Sequence, residues 1–243
     1  MRHQRVLAHL LLPLLLTFAA AAARAAEVPA AGETQAQVPA LTEMHEVIYP
    51  LWHEAWPNKN VQMMKDLLPQ VQEHVKKVRA AELPGILRDR KAAWDEGVKA
   101  LVEITGRYEK AAAASDEKGL LDAVEALHSR YESLVRVIRP AMKELDAYHQ
   151  QLYQVYHHLM PTKDIAGVRA ASEEMVKRCQ ALVAAPLPKR VAGKEEQIRA
   201  EFNSLCAATS ALREAAGGQD ADRVSKAVEA VHTQYQKAEK LFE

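Results

Sequence analysis

The chain has 243 residues, with 32 basic and 32 acidic side chains, 49% hydrophobic and 5% aromatic residues. Balanced charge gives no footing to a basic stripe for nucleic acid or an anionic bilayer. The absence of a C-x-x-C-H element leaves covalent haem attachment without support.

In chain order, Arg2 and Arg5 precede an apolar run from Val6 to about Ala23, closed by Ala23-Arg24-Ala25. Basic start, apolar run and small-residue cleavage site together predict a secretory signal peptide over residues 1–25, hence a periplasmic or secreted protein. Cleavage removes three arginines and leaves 29 basic against 32 acidic side chains. No later stretch is long and apolar enough to span a bilayer, so no membrane association is expected after cleavage. Residues 26–38 hold few large apolar side chains and predict a mobile, disordered tail.

Beyond the tail the apolar residues recur at spacings of three and four among Ala, Leu, Glu, Lys and Arg, which predicts helix throughout. Pro57-Asn58-Lys59-Asn60 closes a first helix, Leu83-Pro84-Gly85 separates a second from a third, and Ser115-Asp116 opens a fourth with an N-cap. The same punctuation returns as Pro161-Thr162, Pro186-Leu187-Pro188 and Gly217-Gly218-Gln219-Asp220. Sliding residues 145–243 over 41–139 needs no gap, and 21 of the 99 positions are identical. The expected fold is therefore all-α, two tandem up-down-up-down four-helix bundles over residues 39–139 and 140–243, with Pro140 in the first turn of the second copy's opening helix.

Cys179 and Cys206 fall where the first copy has Val75 and Val102. They can form a disulfide in an exported protein or remain buried thiols.

Three of the first copy's four histidines reappear at the 104-residue offset: His45 with His149, His53 with His157, His128 with His232. Tyr49 with Tyr153 and Tyr131 with Tyr235 accompany them, and the segments AVEALHSRY and AVEAVHTQY carry the last histidine of each set. On the first helix Leu41, His45, Ile48, Tyr49, Trp52 and Trp56 read as one face, with His45 near its middle and His53 at its edge. On the fourth, His128 borders an expected buried stripe of Leu120, Leu121, Val124, Leu127, Tyr131, Leu134 and Val135. Two helices thus aim a histidine at the interior. A first helix starting near Ala36 puts His45 level with His128, each roughly 14 Å from one end of the bundle; a later start brings His53 level instead.

The third and fourth helices, RKAAWDEGVKALVEITGRYEKAAAASDEKGLLDAVEALHSRYESL, resemble the matching region of the periplasmic four-helix cytochromes, b-type bundle cytochromes and cytochrome c prime. In those families a histidine followed three residues later by an aromatic ligates haem iron, and His128 with Tyr131 and His232 with Tyr235 match that element. The b-type methionine has no clear counterpart, since Met44 pairs with Tyr148. His45 and His149 stand about where it would, which implies bis-histidine ligation of noncovalent haem b.

Three readings follow. The histidines ligate a transition-metal ion such as zinc or copper in each copy, with the tyrosines as ligands or supports; or they hold haem b; or they are packing residues of a periplasmic interaction or chaperone-like protein that binds a protein partner. No nucleophile elbow, phosphate loop or H-E-x-x-H is present, so no enzymatic activity is expected.

Overall fold

A computed structural model describes residues 32–242. Residues 1–25, expected to be a signal peptide, lie outside the described residues. The fold is all-α, with eight α-helices and no strand among the described residues. They are α1 (Pro39–Pro50), α2 (Val61–Ala80), α3 (Lys91–Ala114) and α4 (Glu117–Ile138), then α5 (Lys143–Gln154), α6 (Ile165–Ala184), α7 (Glu195–Ala216) and α8 (Ala221–Lys240).

Each set of four closes a ring of neighbours: α1 touches α2 and α4, and α3 touches both as well, while α5 to α8 repeat the pattern. Each ring has its own apolar cluster. In the first, Leu41, Met44, Ile48, Leu51 and Ala55 of the opening segment meet Leu120, Val124, Leu127 and Leu134 of α4. In the second, Leu145, Tyr148, Leu152 and Val155 meet Val224, Val228, Val231 and Tyr235 of α8. The described residues hold no helix long and apolar enough to cross a membrane.

Helix ends repeat at the 104-residue offset. Asn60 and Asp164 cap α2 and α6 by accepting from the N–H groups of Met63 and Gly167, and Asp116 and Asp220 cap α4 and α8. Lys59 and Lys163, one residue ahead of the first pair of caps, both take left-handed φ values, 49° and 54°. Most telling are two π turns, Leu51–Ala55 and Val155–Leu159, that continue α1 and α5. There the N–H groups of Trp56 and Met160 reach the carbonyls of Leu51 and Val155, five residues back. A π turn widens the helix locally and turns the side chains after it away from the α-helical stripe.

Cys179 and Cys206 form a disulfide between α6 and α7, with Cα atoms 5.5 Å apart, where the first ring relies on Val75 and Val102. Pro140 lies in the irregular link before α5 and not in its first turn, because α5 begins at Lys143 with Met142 as its N-cap.

A 3-10 segment, Gly85–Arg90, is wedged between the halves, touching α3, α4 and α5. Arg90 fastens it: its guanidinium donates to the carbonyls of Val137 (2.8 Å) and Arg139 (3.1 Å) and to the Glu239 carboxylate of α8 (2.6 Å). The part of the expected tail from Gly32 onward is docked here. The Glu33 carbonyl accepts from Ile86 N–H at 3.0 Å, and Val38 is buried.

Candidate functional site

The stripe that α1 buries runs Leu41, Met44, Ile48, Leu51 and Ala55. That rotates the helix away from the expected orientation: His45, Tyr49 and His53 point outward, and Tyr49 is 52% exposed. The histidines do not enter the interior of the ring. Aliphatic side chains outcompete them for it, because an imidazole buried there would need a hydrogen-bond partner that Met44, Val124 and Leu127 cannot supply.

The outward face is built twice from the same ring pairs. Trp52 lies flat on His128 with centroids 4.0 Å apart, and Tyr156 lies on His232 at 4.2 Å. His45 approaches Tyr131 at 6.0 Å, and His149 stacks on Tyr235 at 4.3 Å. Tyr49 meets His53 at 4.7 Å, and Tyr153 meets His157 at 4.6 Å. All three pairs are related by the 104-residue offset. The π turn brings residues 52 and 156, and not His45 or His53 as expected, level with the α4 and α8 histidines. Sequence reasoning placed Trp52 on one face with His45 and Tyr49 but took that face as interior, and it missed Tyr156 altogether. The signal was present, since both are aromatic at the repeat offset, although they are not identical.

The two faces differ in what covers them. In the second half the 3-10 segment lies on it. Arg88 donates to Tyr153 Oη and, at 2.9 Å, to His157 Nδ1; Tyr153 in turn donates to the Glu33 carboxylate. Arginine can only donate, so His157 accepts through Nδ1 and is neutral. Consistently, burial and the nearby Arg88 hold the His157 pKa down at about 4. Burial likewise lowers His149 to about 4, and it raises Tyr153, with help from the Glu33 hydrogen bond, to about 12. His158 Nε2 stands 3.6 Å from Glu33, and His232 Nε2 stands 3.9 Å from Asp89. Gly85 permits the close approach, since a Cβ there would fall on Tyr153 Oη. Tyr153 is so enclosed that it belongs to the first half's apolar cluster.

In the first half the equivalent face is open. His45, Tyr49 and His53 are exposed, His128 and Trp52 are half-buried, and Trp56 Nε1 donates to the Leu121 carbonyl at 3.2 Å. Burial lowers the His128 pKa, with the His53 and His45 rings adding to the effect and Glu132 opposing it.

Among the described residues no group of three or more His, Cys, Asp or Glu side chains is placed to hold a metal ion. A haem between His45 and His128 would need the space that Met44, Ile48, Val124 and Leu127 fill, and the residues present do not fit that group.

No family model, curated protein or solved structure matches the chain.

Proposed function

We propose that this is a non-catalytic, exported protein of two tandem four-helix bundles that binds a protein partner through the open His-aromatic face of its first half. The carrying observation is the contrast between two copies of one face: Tyr153 is sealed under the chain's own 3-10 segment, while Tyr49 at the same place is 52% exposed. Aromatic rings with polar edges are favoured at protein interfaces because they supply contact area at low entropic cost. The second half then serves as the junction that joins the two bundles. A photoreactive benzoylphenylalanine at Tyr49, with one at exposed Lys110 of α3 as control, tests this in the cell of origin. Discrete adducts at position 49 alone support it; no adduct, or the same pattern at both positions, sinks it.

A second reading keeps the histidines as ligands. It is favoured by the lowered pKa of His128, since imidazole ligates only when neutral, and by the influence of His45 and His53 on that ring. One equivalent of zinc or copper in the isolated protein, lost in His128→Ala, would favour it over docking.

A further inference from the structure

The internal junction shows what such a face accepts, and residue differences between the copies show how the first face's occupant must differ. In the second half the occupant is a turn with Gly85 against Tyr153, Arg88 on Tyr153 and His157, Asp89 near His232 and Gln236, and Arg90 on Glu239. Applying the 104-residue offset, the first face presents Tyr49 and His53 where the second has Tyr153 and His157. The glycine and arginine contacts can therefore be made again. Around them the charge changes. Glu46, Glu54 and Glu132 replace Gln150, His158 and Gln236, and Val135 replaces Glu239.

We infer that the partner of the first face presents a basic turn: glycine against Tyr49, arginine three residues on against Tyr49 and His53, then a cation facing Glu132 and an apolar residue facing Val135. This rests on the docking reading above. An aspartate at the third contact, as at Asp89, would meet the Glu132 carboxylate and repel it, whereas lysine or arginine there gains an ion pair. Glu132 lies close enough to this face for its charge to be felt at His128, and its loose, exposed contact with Arg136 along α4, at 3.7 Å, leaves the carboxylate able to meet a further cation.

A second copy of the chain is a poor occupant. The turn of its second half that corresponds to Gly85–Arg90 has Lys189 in place of the required glycine and Ala192 in place of Arg88. The lysine Cβ would stand where Gly85 lets the phenol approach, and no guanidinium would reach the tyrosine.

Two synthetic peptides test the inference on the full chain: LPGILRDR, the chain's own Leu83–Arg90, and LPGILRKL, with the last two residues recast for the first face. Binding is read by calorimetry and by tryptophan fluorescence, because Trp52 lies in the face. LPGILRKL should bind and LPGILRDR should bind more weakly by roughly fivefold, about the most that one exposed ion pair supplies. Glu132→Lys should reverse that ranking, and replacing the peptide's first arginine by alanine should abolish binding. Tyr49→Ala should also abolish it, with helical circular dichroism unchanged because the side chain is half exposed. Equal affinity for both peptides, no binding at millimolar concentration, or indifference to Tyr49→Ala overturns the basic turn. So does head-to-tail association in sedimentation that Tyr49→Ala removes, which would name a second copy as the occupant. Adducts at position 49 without peptide binding would discard the occupant alone; absence of both would discard the docking face with it.

Discussion

The Trp52 indole covers the His128 imidazole with planes 4° from parallel and centroids 4.0 Å apart. His128 has its pKa lowered mainly by burial, and this ring is one of its covers. Trp52→Ala should therefore let the His128 pKa climb back toward 6.5, read by its imidazole proton shifts in an NMR titration. Loss of the stacked pair should also cost about 1 kcal/mol of stability. A pKa that stays or falls would mean that groups other than Trp52 keep water from His128.

Acid should loosen the junction before it unfolds the helices. His149 and His157 both have folded pKa values of about 4 against an ordinary 6.5, from burial first and for His157 from Arg88 next. A depressed folded pKa means that protonation favours the unfolded or opened form. The stability these groups contribute is complete above pH 6.5 and is lost as pH falls toward about 4. For His149 the loss approaches about 3 kcal/mol; for His157, which is more exposed, it is smaller. Glu239 and Asp89 soften the effect at His149 by favouring its charged form. Hydrogen exchange in α5 and the 3-10 segment should accelerate across that window while α3 stays protected. Uniform acceleration would show that the junction is not the acid-sensitive element.

Gly85→Ala should open the same junction at neutral pH. Its Cβ would overlap Tyr153 Oη and press on Glu33, contacts held by short hydrogen bonds and not by a flexible tip. Overpacking of this kind costs about 1–3 kcal/mol. The expected readout is faster proteolysis near Arg139-Pro140 with unchanged helix content. Unchanged proteolysis would mean that the segment simply shifts.

Replacing Cys179 and Cys206 by valine, the residues found at positions 75 and 102, should leave a folded second half that is less stable. The closed loop separates residues 27 apart, for which chain entropy predicts a loss of about 3–4 kcal/mol. Calorimetry should show the second half melting earlier and the first unchanged. Unchanged melting of both would assign the disulfide no role in stability.

The all-helical class, the repeat register and the caps Asp116 and Asp220 were readable because each depends on local chemistry, whereas Asn60 read only as part of the first helix's end and Asp164 was not singled out, although both accept backbone N–H groups in the same way. The orientation of α1 was not. Counting Tyr49, Trp52 and Trp56 as interior residues turned the stripe toward His45, whereas Leu41, Met44, Ile48, Leu51 and Ala55 define it. Large aromatics satisfy either side of a helix, so they mislead a periodicity count. The π turns left no sequence signal, since a five-residue hydrogen bond step changes direction without changing composition. Nor could the covering of one face and not the other be foreseen, because it depends on Gly85, Arg88 and Glu33 arriving from distant parts of the chain.

The paired π turns also date events. Leu51–Ala55 and Val155–Leu159 sit at the same place in both halves although only His53 and its partner His157 are identical between them. A π turn is one surplus residue inside an α-helical ladder. Two independent insertions at one position are a less economical history than a single insertion inherited twice. The ancestral half-length gene therefore already carried the widened helix before it doubled, and the stacked ring above it is older than the second half's junction.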